Sequence, residues 1–176
     1  MELTTQKVSR NLNEYMKIKE LIQTAFPENE RLPMWLLLLT SKRKCVDFLA
    51  FYDDDRFCGV TYTVKTEKMV FILYLAVSNE VRSNGYGSKI LDFLKVRYDK
   101  KDLVLNIEPV DENAENYHQR VRRLEFYKKN GFVDTGKFFR NKSEIYSILS
   151  NSENFSMERY IGVIKKMSFG LYINKK

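Results

Sequence analysis

The chain has 176 residues, 44% hydrophobic and 14% aromatic, enough for one compact domain with a sizeable core, and no apolar run approaches the ~20 residues that a membrane-spanning helix needs. Thirty Lys and Arg against 23 Asp and Glu give a net charge of +7, which favours a polyanionic partner: nucleic acid, an anionic membrane surface or a phosphorylated cofactor. Cys45 and Cys58 both lie in apolar runs and no apolar stretch follows a basic N-terminus, so a cytoplasmic, reducing setting is expected rather than secretion.

Along the chain, residues 11–25 carry Tyr15, Ile18, Leu21 and Ile22 at helical spacing, with Pro27 beyond the end, and predict a first helix. Residues 32–41 are short and apolar; Pro33 suits a first turn and favours a second helix, although the length also allows a buried strand. The pattern then changes to strands at 46–52, 57–65 and 70–77, separated by turns at Asp53-Asp54-Asp55 and near Thr66-Glu67-Lys68, an antiparallel meander. A helix over 87–98 and a strand over 103–108 imply a parallel crossover. A helix over 115–130 stops at Gly131, strands at 132–140 and 143–149 form a hairpin turning at Asn141-Lys142, and Ser156 caps a last helix to about Met167. With no repeat, low-complexity tract or linker, the expectation is a single domain over 1–176: α/β, a mixed, mostly antiparallel twisted sheet with one parallel strand-helix-strand crossover and helices on both faces.

Gly85 and Gly87 follow a strand and open a helix, where backbone N–H groups lack intrahelical partners and the helix dipole is positive. Such a loop suits phosphate oxygens, with Arg82 adding a charged contact and Ser88 a hydroxyl; the plain alternative is an ordinary glycine turn. The Gly-Lys-Ser/Thr ending of a nucleotide P-loop and the G-x-G-x-x-G of a Rossmann fingerprint are both absent.

The segment from Leu75-Ala76-Val77 through Arg82-Ser83-Asn84-Gly85-Tyr86-Gly87-Ser88 resembles the acetyl-CoA signature of the GNAT acetyltransferases (Arg or Gln, x, x, Gly, x, Gly or Ala). A second stretch, Arg123 to Phe132, resembles that family's other motif, a helical tyrosine four residues before Gly-Phe. The resemblance implies the family's fold and an N-acetyltransferase: an amine attacks the acetyl-CoA thioester directly while Tyr127 donates a proton to the departing thiolate, general-acid help of ~10²–10⁴-fold. It also implies that backbone amides of Leu75-Ala76-Val77 grip the pantetheine arm and polarise the thioester carbonyl, this strand splaying from the one that begins at Leu103. The chain departs from the pattern seven and four residues before the tyrosine, with Arg120 and Arg123 in place of Asn and Ala. These arginines share a helix face with Tyr127 and can contact cofactor phosphates or an acidic acceptor, or pair with Glu125 or solvent.

A neutral attacking amine needs a base or a water chain; Glu108 is the first candidate and Glu30 the second, and His118 reads as a surface residue. No cluster has metal-ligand spacing, so no metal is expected. The expected partner is a small-molecule or peptide amine, with no membrane, and a monomer or homodimer. Two other classes stay open: an acyl-CoA-binding sensor without turnover, and a nucleic-acid binder, for which no recognition motif is present.

Overall fold

The computed structural model describes residues 3–141 and 144–167. Seven strands are hydrogen-bonded in the order β1-β2-β3-β4-β5-β7-β6: β1 Thr4–Lys7, β2 Val46–Asp53, β3 Arg56–Lys65, β4 Met69–Val77, β5 Asp102–Ile107, β6 Val133–Asn141 and β7 Glu144–Ser150. The helices are α1 Tyr15–Ala25, α2 Met34–Thr40, α3 Tyr86–Arg97, α4 Tyr117–Lys129 and α5 Met157–Met167. This is the expected mixed, mostly antiparallel sheet, with β4 and β5 as its parallel pair.

The chain divides into two compact units. The first comprises the described residues of Met1–Val64 and Leu73–Arg97. Here β2 and β3 pair antiparallel from Val46↔Val64 to Asp53↔Arg56. Both are buried along nearly their whole length, Asp47, Thr61 and Thr63 included. Ile18, Leu21 and Ile22 of α1 and Ile90, Leu91 and Leu94 of α3 are all buried, their spacing putting one stripe of each helix into the core. Phe51 meets Phe93 edge-on at 5.2 Å, and Phe48 meets Tyr62 at 5.3 Å. Gly59 permits a close strand approach: a Cβ there would lie 2.5 Å from the Ala76 carbonyl oxygen and 3.1 Å from Ile90 Cδ1.

The second unit comprises Lys65–Ile72 and the described residues of Tyr98–Lys176. Met69, Val70 and Phe71 of β4 pair in parallel with Asp102, Leu103 and Val104, while β5 pairs antiparallel with β7 and β7 with β6. α5 is secured by Tyr160, buried against Phe71, Phe139 and Phe155 and exchanging hydrogen bonds with the Asn106 side chain at 2.8 and 3.0 Å. Ser156 Oγ accepts the Arg159 N–H at 3.3 Å, the expected cap.

Differences from the sequence reading lie mainly at the ends of elements. α1 starts at Tyr15 because residues 9–12 close a turn, Leu12 N–H to Ser9 O. α2 starts after Pro33, whose ring supplies no N–H and holds Leu32 out of helical geometry. Short 3₁₀ turns occupy Glu28–Glu30 and Asn79–Val81. β1, Thr-Thr-Gln-Lys, is an edge strand with no apolar alternation and gave no signal. Lys142 and Ser143, the expected hairpin turn and strand start, lie outside the described residues, as does the tail from 168 onward. Among the described residues, no helix is long and apolar enough to cross a membrane.

The Gly59 geometry yields a stability prediction. Gly59→Ala forces β3, β4 or α3 to shift and lowers the unfolding free energy by roughly 1–3 kcal/mol, the cost of overpacking. Chemical denaturation of the two proteins measures it, and an unchanged midpoint would contradict the packing described.

Candidate functional site

In the first unit, β4 alternates: Tyr74 and Ala76 are buried, whereas Leu73, Leu75 and Val77 are half-buried along the other face. The strand runs into the 3₁₀ turn at Asn79–Val81 and then into an exposed stretch, Arg82 to Gly85. Ser83 has φ 67° and Gly85 φ 78°, so the chain makes two left-handed steps immediately before α3. The first α-helical bond here is Lys89 N–H to Gly85 O at 3.1 Å, which leaves the N–H groups of Tyr86, Gly87 and Ser88 without a carbonyl one turn back. A Cβ at Gly85 would meet nothing within 4 Å, so there is open room at the loop's sharpest turn. Arg82, Ser83 and Asn84 are exposed, while Gly87 and Ser88 are half-buried.

Tyr86 differs from its loop neighbours. Its side chain is turned inward, and its hydroxyl donates to Asp53 Oδ2 at 2.6 Å, a bond that pushes the phenol up to about 12. Tyr86 therefore offers the loop a backbone N–H and not a side chain.

Glu30 ends the 3₁₀ turn between α1 and α2 and is half-buried. Its carbonyl accepts the Tyr74 hydroxyl at 2.8 Å, and that hydroxyl accepts the Leu32 N–H at 2.8 Å. Tyr74 is buried against Phe26 at 4.7 Å, and burial pushes its phenol up to about 12. It thus clamps the Glu30–Leu32 segment to β4. Sequence reasoning missed Tyr74; a hydroxyl in an otherwise apolar strand was the one signal available.

In the second unit, Tyr127 stands in the last turn of α4. The helix ends in a Schellman motif: Phe132 N–H reaches Tyr127 O at 3.0 Å, Gly131 N–H reaches Lys128 O at 3.0 Å, and Gly131 has φ 79°. The apolar contact that accompanies this cap is made by Tyr127 and Phe132 themselves, with rings 5.7 Å apart. The tyrosine and the Gly-Phe dipeptide are therefore parts of one cap, which fixes the ring. Tyr127 is half-buried between Phe126 and Phe132, and no group among the described residues hydrogen-bonds its hydroxyl. Burial pushes the phenol up to about 12, with the Arg123 charge pulling the other way.

Glu108 follows β5 and is gripped from α4. Arg120 Nη2 forms an ion pair with Oε1 and Arg123 Nη1 donates to Oε2, each at 3.0 Å, and Asn116 Nδ2 lies 3.3 and 3.4 Å from the two oxygens. Arg120 also donates to Asn116 Oδ1 at 2.7 Å and to the Pro109 carbonyl at 3.0 Å. The carboxylate partner of the two arginines is thus Glu108 and not Glu125. Each Glu108 oxygen faces one guanidinium, and a carboxylate oxygen has a second lone pair with which to accept a further donor. His118 lies against the Tyr117 ring at 5.2 Å. Among the described residues, no group of three or more His, Cys, Asp or Glu could hold a metal ion.

A model of the acetyltransferase (GNAT) domain matches residues 44–134, a stretch that includes both the glycine loop and Tyr127. The chain belongs to the GNAT acetyltransferase family. It is 27% identical to the protein YjbC of Bacillus subtilis (strain 168) over 121 residues, 69% of this chain and 54% of YjbC. The chain therefore spans about half the length of the curated relative it matches. A solved GNAT-family protein from Bacteroides thetaiotaomicron superposes with a TM-score of 0.77 at 21% identity, over 98% of this chain and 99% of that one. An aminoglycoside 6′-N-acetyltransferase complexed with coenzyme A superposes with a TM-score of 0.63 at 13% identity, over 87% and 99%. At these identities the likenesses show the GNAT fold.

Within this GNAT chain, the helix cap that holds Tyr127 is testable. Gly131→Ala places a side chain at a left-handed residue and costs roughly 1–2 kcal/mol, and Gly131→Asn costs less because Asn tolerates that region. Thermal unfolding of the three proteins measures the order, and equal stability of the Ala variant and wild type would contradict the cap.

Proposed function

We propose that the chain is an N-acetyltransferase that moves the acetyl group of acetyl-CoA onto a primary amine, with Tyr127 as general acid toward the coenzyme A thiolate. One observation carries this reading: the exposed left-handed turn at Ser83 to Gly85 that opens into three unpaired N–H groups at the start of α3. Such a cradle fits a pyrophosphate, since the backbone donors and the helix dipole favour anionic oxygens and the space at Gly85 is open. The N–H groups of Tyr86, Gly87 and Ser88, with Arg82 and the Ser88 hydroxyl, are the groups assigned to the phosphates. Leu75, Ala76 and Val77 are assigned to the pantetheine arm, and the half-buried apolar face at Leu75 and Val77 suits it. Bound acetyl-CoA supplies an activated thioester, whose carbonyl carbon the amine attacks directly.

The remaining chemistry falls to the protein's own side chains. A thiolate leaving group at neutral pH gains from a nearby donor, and the Tyr127 hydroxyl is protonated throughout the physiological range. A phenol at about 12 holds its proton more tightly than a thiol near ~8.5 in water, so Tyr127 first donates a hydrogen bond. The proton itself transfers from Tyr127 Oη only as the thiolate also loses water. Arg120 and Arg123 pair with Glu108 next to β5, and they stay assigned to the cofactor phosphates through donors outside that pair. Glu108 and Glu30 are the carboxylates proposed to attract and deprotonate the amine, which is a small molecule or a peptide. Both units are proposed to serve one catalytic domain working in the cytoplasm.

The test is release of free thiol from acetyl-CoA across a panel of amines. Tyr127→Phe lowers kcat by about 10²-fold while coenzyme A affinity is retained, as expected for loss of a general acid. Binding of coenzyme A with no amine supporting thiol release would defeat the enzyme and leave a sensor. The pH profile provides a second check. A raised phenol remains a donor as pH increases, so kcat/KM climbs as the amine deprotonates and shows no loss from Tyr127 up to about pH 10. A Tyr127-dependent fall near neutrality would contradict this assignment.

A further inference from the structure

The turn between β2 and β3 and the start of α3 are joined by a bond from the glycine motif to a residue outside it. Tyr86, between the two loop glycines, is only 8% exposed and donates its hydroxyl to Asp53 Oδ2 at 2.6 Å. Asp53 closes β2, paired with Arg56, and the next residue, Asp54, takes a left-handed conformation with φ 53°. Lys89, one turn further along α3, lies over the Tyr86 ring at 4.7 Å and 4.0 Å from Asp53 Oδ2. The other oxygen, Asp53 Oδ1, is buried and has no hydrogen-bond partner among the described residues. Through Oδ2 the Asp53 carboxylate joins the left-handed β2–β3 turn to the first turn of α3.

We propose that Asp53 and Tyr86 are positioning residues for the cofactor. Their bond fixes the first turn of α3 on the sheet, so that the N–H groups of Tyr86, Gly87 and Ser88 are aimed before the phosphates arrive. Tyr86 sits directly between the glycines that give the loop its freedom, and an unanchored loop would have to be ordered at the moment of binding. Neighbouring contacts fix the same region: Ser78 N–H donates to Cys58 O at 2.9 Å, and the Cys58 thiol donates to Arg56 O at 3.2 Å. This inference rests on the cofactor reading given above.

The experiment is calorimetric titration of the full chain with coenzyme A, together with acetyl-CoA kinetics, for wild type, Tyr86→Phe, Asp53→Ala, Asp53→Asn and the double variant Tyr86→Phe with Asp53→Ala. Loss of a hydrogen bond to a charged group predicts that Tyr86→Phe and Asp53→Ala each weaken coenzyme A binding about tenfold, and that the double variant is no weaker than either. Asp53→Asn keeps an oxygen for the phenol and loses less than about threefold. KM for acetyl-CoA follows the binding constant while kcat at saturation changes less than about twofold, a split that mere loss of stability does not produce. If Tyr86→Phe does not fold, the comparison of Asp53→Ala with Asp53→Asn decides, and equal affinities overturn the proposal. Wild-type affinity in Tyr86→Phe overturns it while leaving the cofactor reading intact; failure of the wild type to bind coenzyme A overturns both.

Discussion

A helix cannot hydrogen-bond its own ends, and the start of α3 and the end of α4 answer that constraint in opposite ways. At the start of α3 the unpaired groups are donors, and the left-handed steps at Ser83 and Gly85 leave them facing an exposed loop. At the end of α4 the unpaired groups are acceptors, and Gly131 folds the chain back so that Phe132 and Gly131 satisfy them. The first end is left open, as suits an anion. The second is closed, and its closure sets Tyr127 against Phe132. Glycine is required at both places for the same reason: the backbone is left-handed there.

Charge is distributed in keeping with this division. The net +7 suggested a basic surface for a polyanion, yet Arg120 and Arg123 spend their charge on Glu108. The three side chains are largely but not wholly shielded, so the pairing gives a fixed junction between β5 and α4 rather than a free cationic patch. Arg82 by contrast is exposed beside the open helix start. The arginine most available to a phosphate is thus the one in the loop, and not the pair on the tyrosine's helix.

What the sequence made legible was local. The loop could be read because a strand, two glycines and a helix start are consecutive, and the Tyr127 cap because its parts fall within six residues. The element types from 46 to 149 followed from apolar periodicity and the turn residues between the runs. Contacts between distant segments could not be read. Tyr86 and Asp53 are 33 residues apart, Tyr74 and Glu30 are 44, and Arg123 and Glu108 are 15. Each is a polar pair whose partner is chosen by the folded sheet, and Asp53 carried only a turn signal while Tyr74 looked like core. Glu108 is the instructive case: a carboxylate after a strand invites the role of base, and only the fold reveals the two guanidinium groups already on it. β1 escaped notice for a different reason, since an edge strand facing solvent needs no apolar alternation.

The central claim is that the open amides at the start of α3 receive the cofactor's pyrophosphate, and amide chemical shifts during titration with coenzyme A report on it most directly. The account predicts saturable shifts that are largest at the N–H groups of Tyr86, Gly87 and Ser88, with Ser83 to Gly85 moving alongside. Saturable coenzyme A binding that leaves those amides unshifted, or no binding at all, would contradict it.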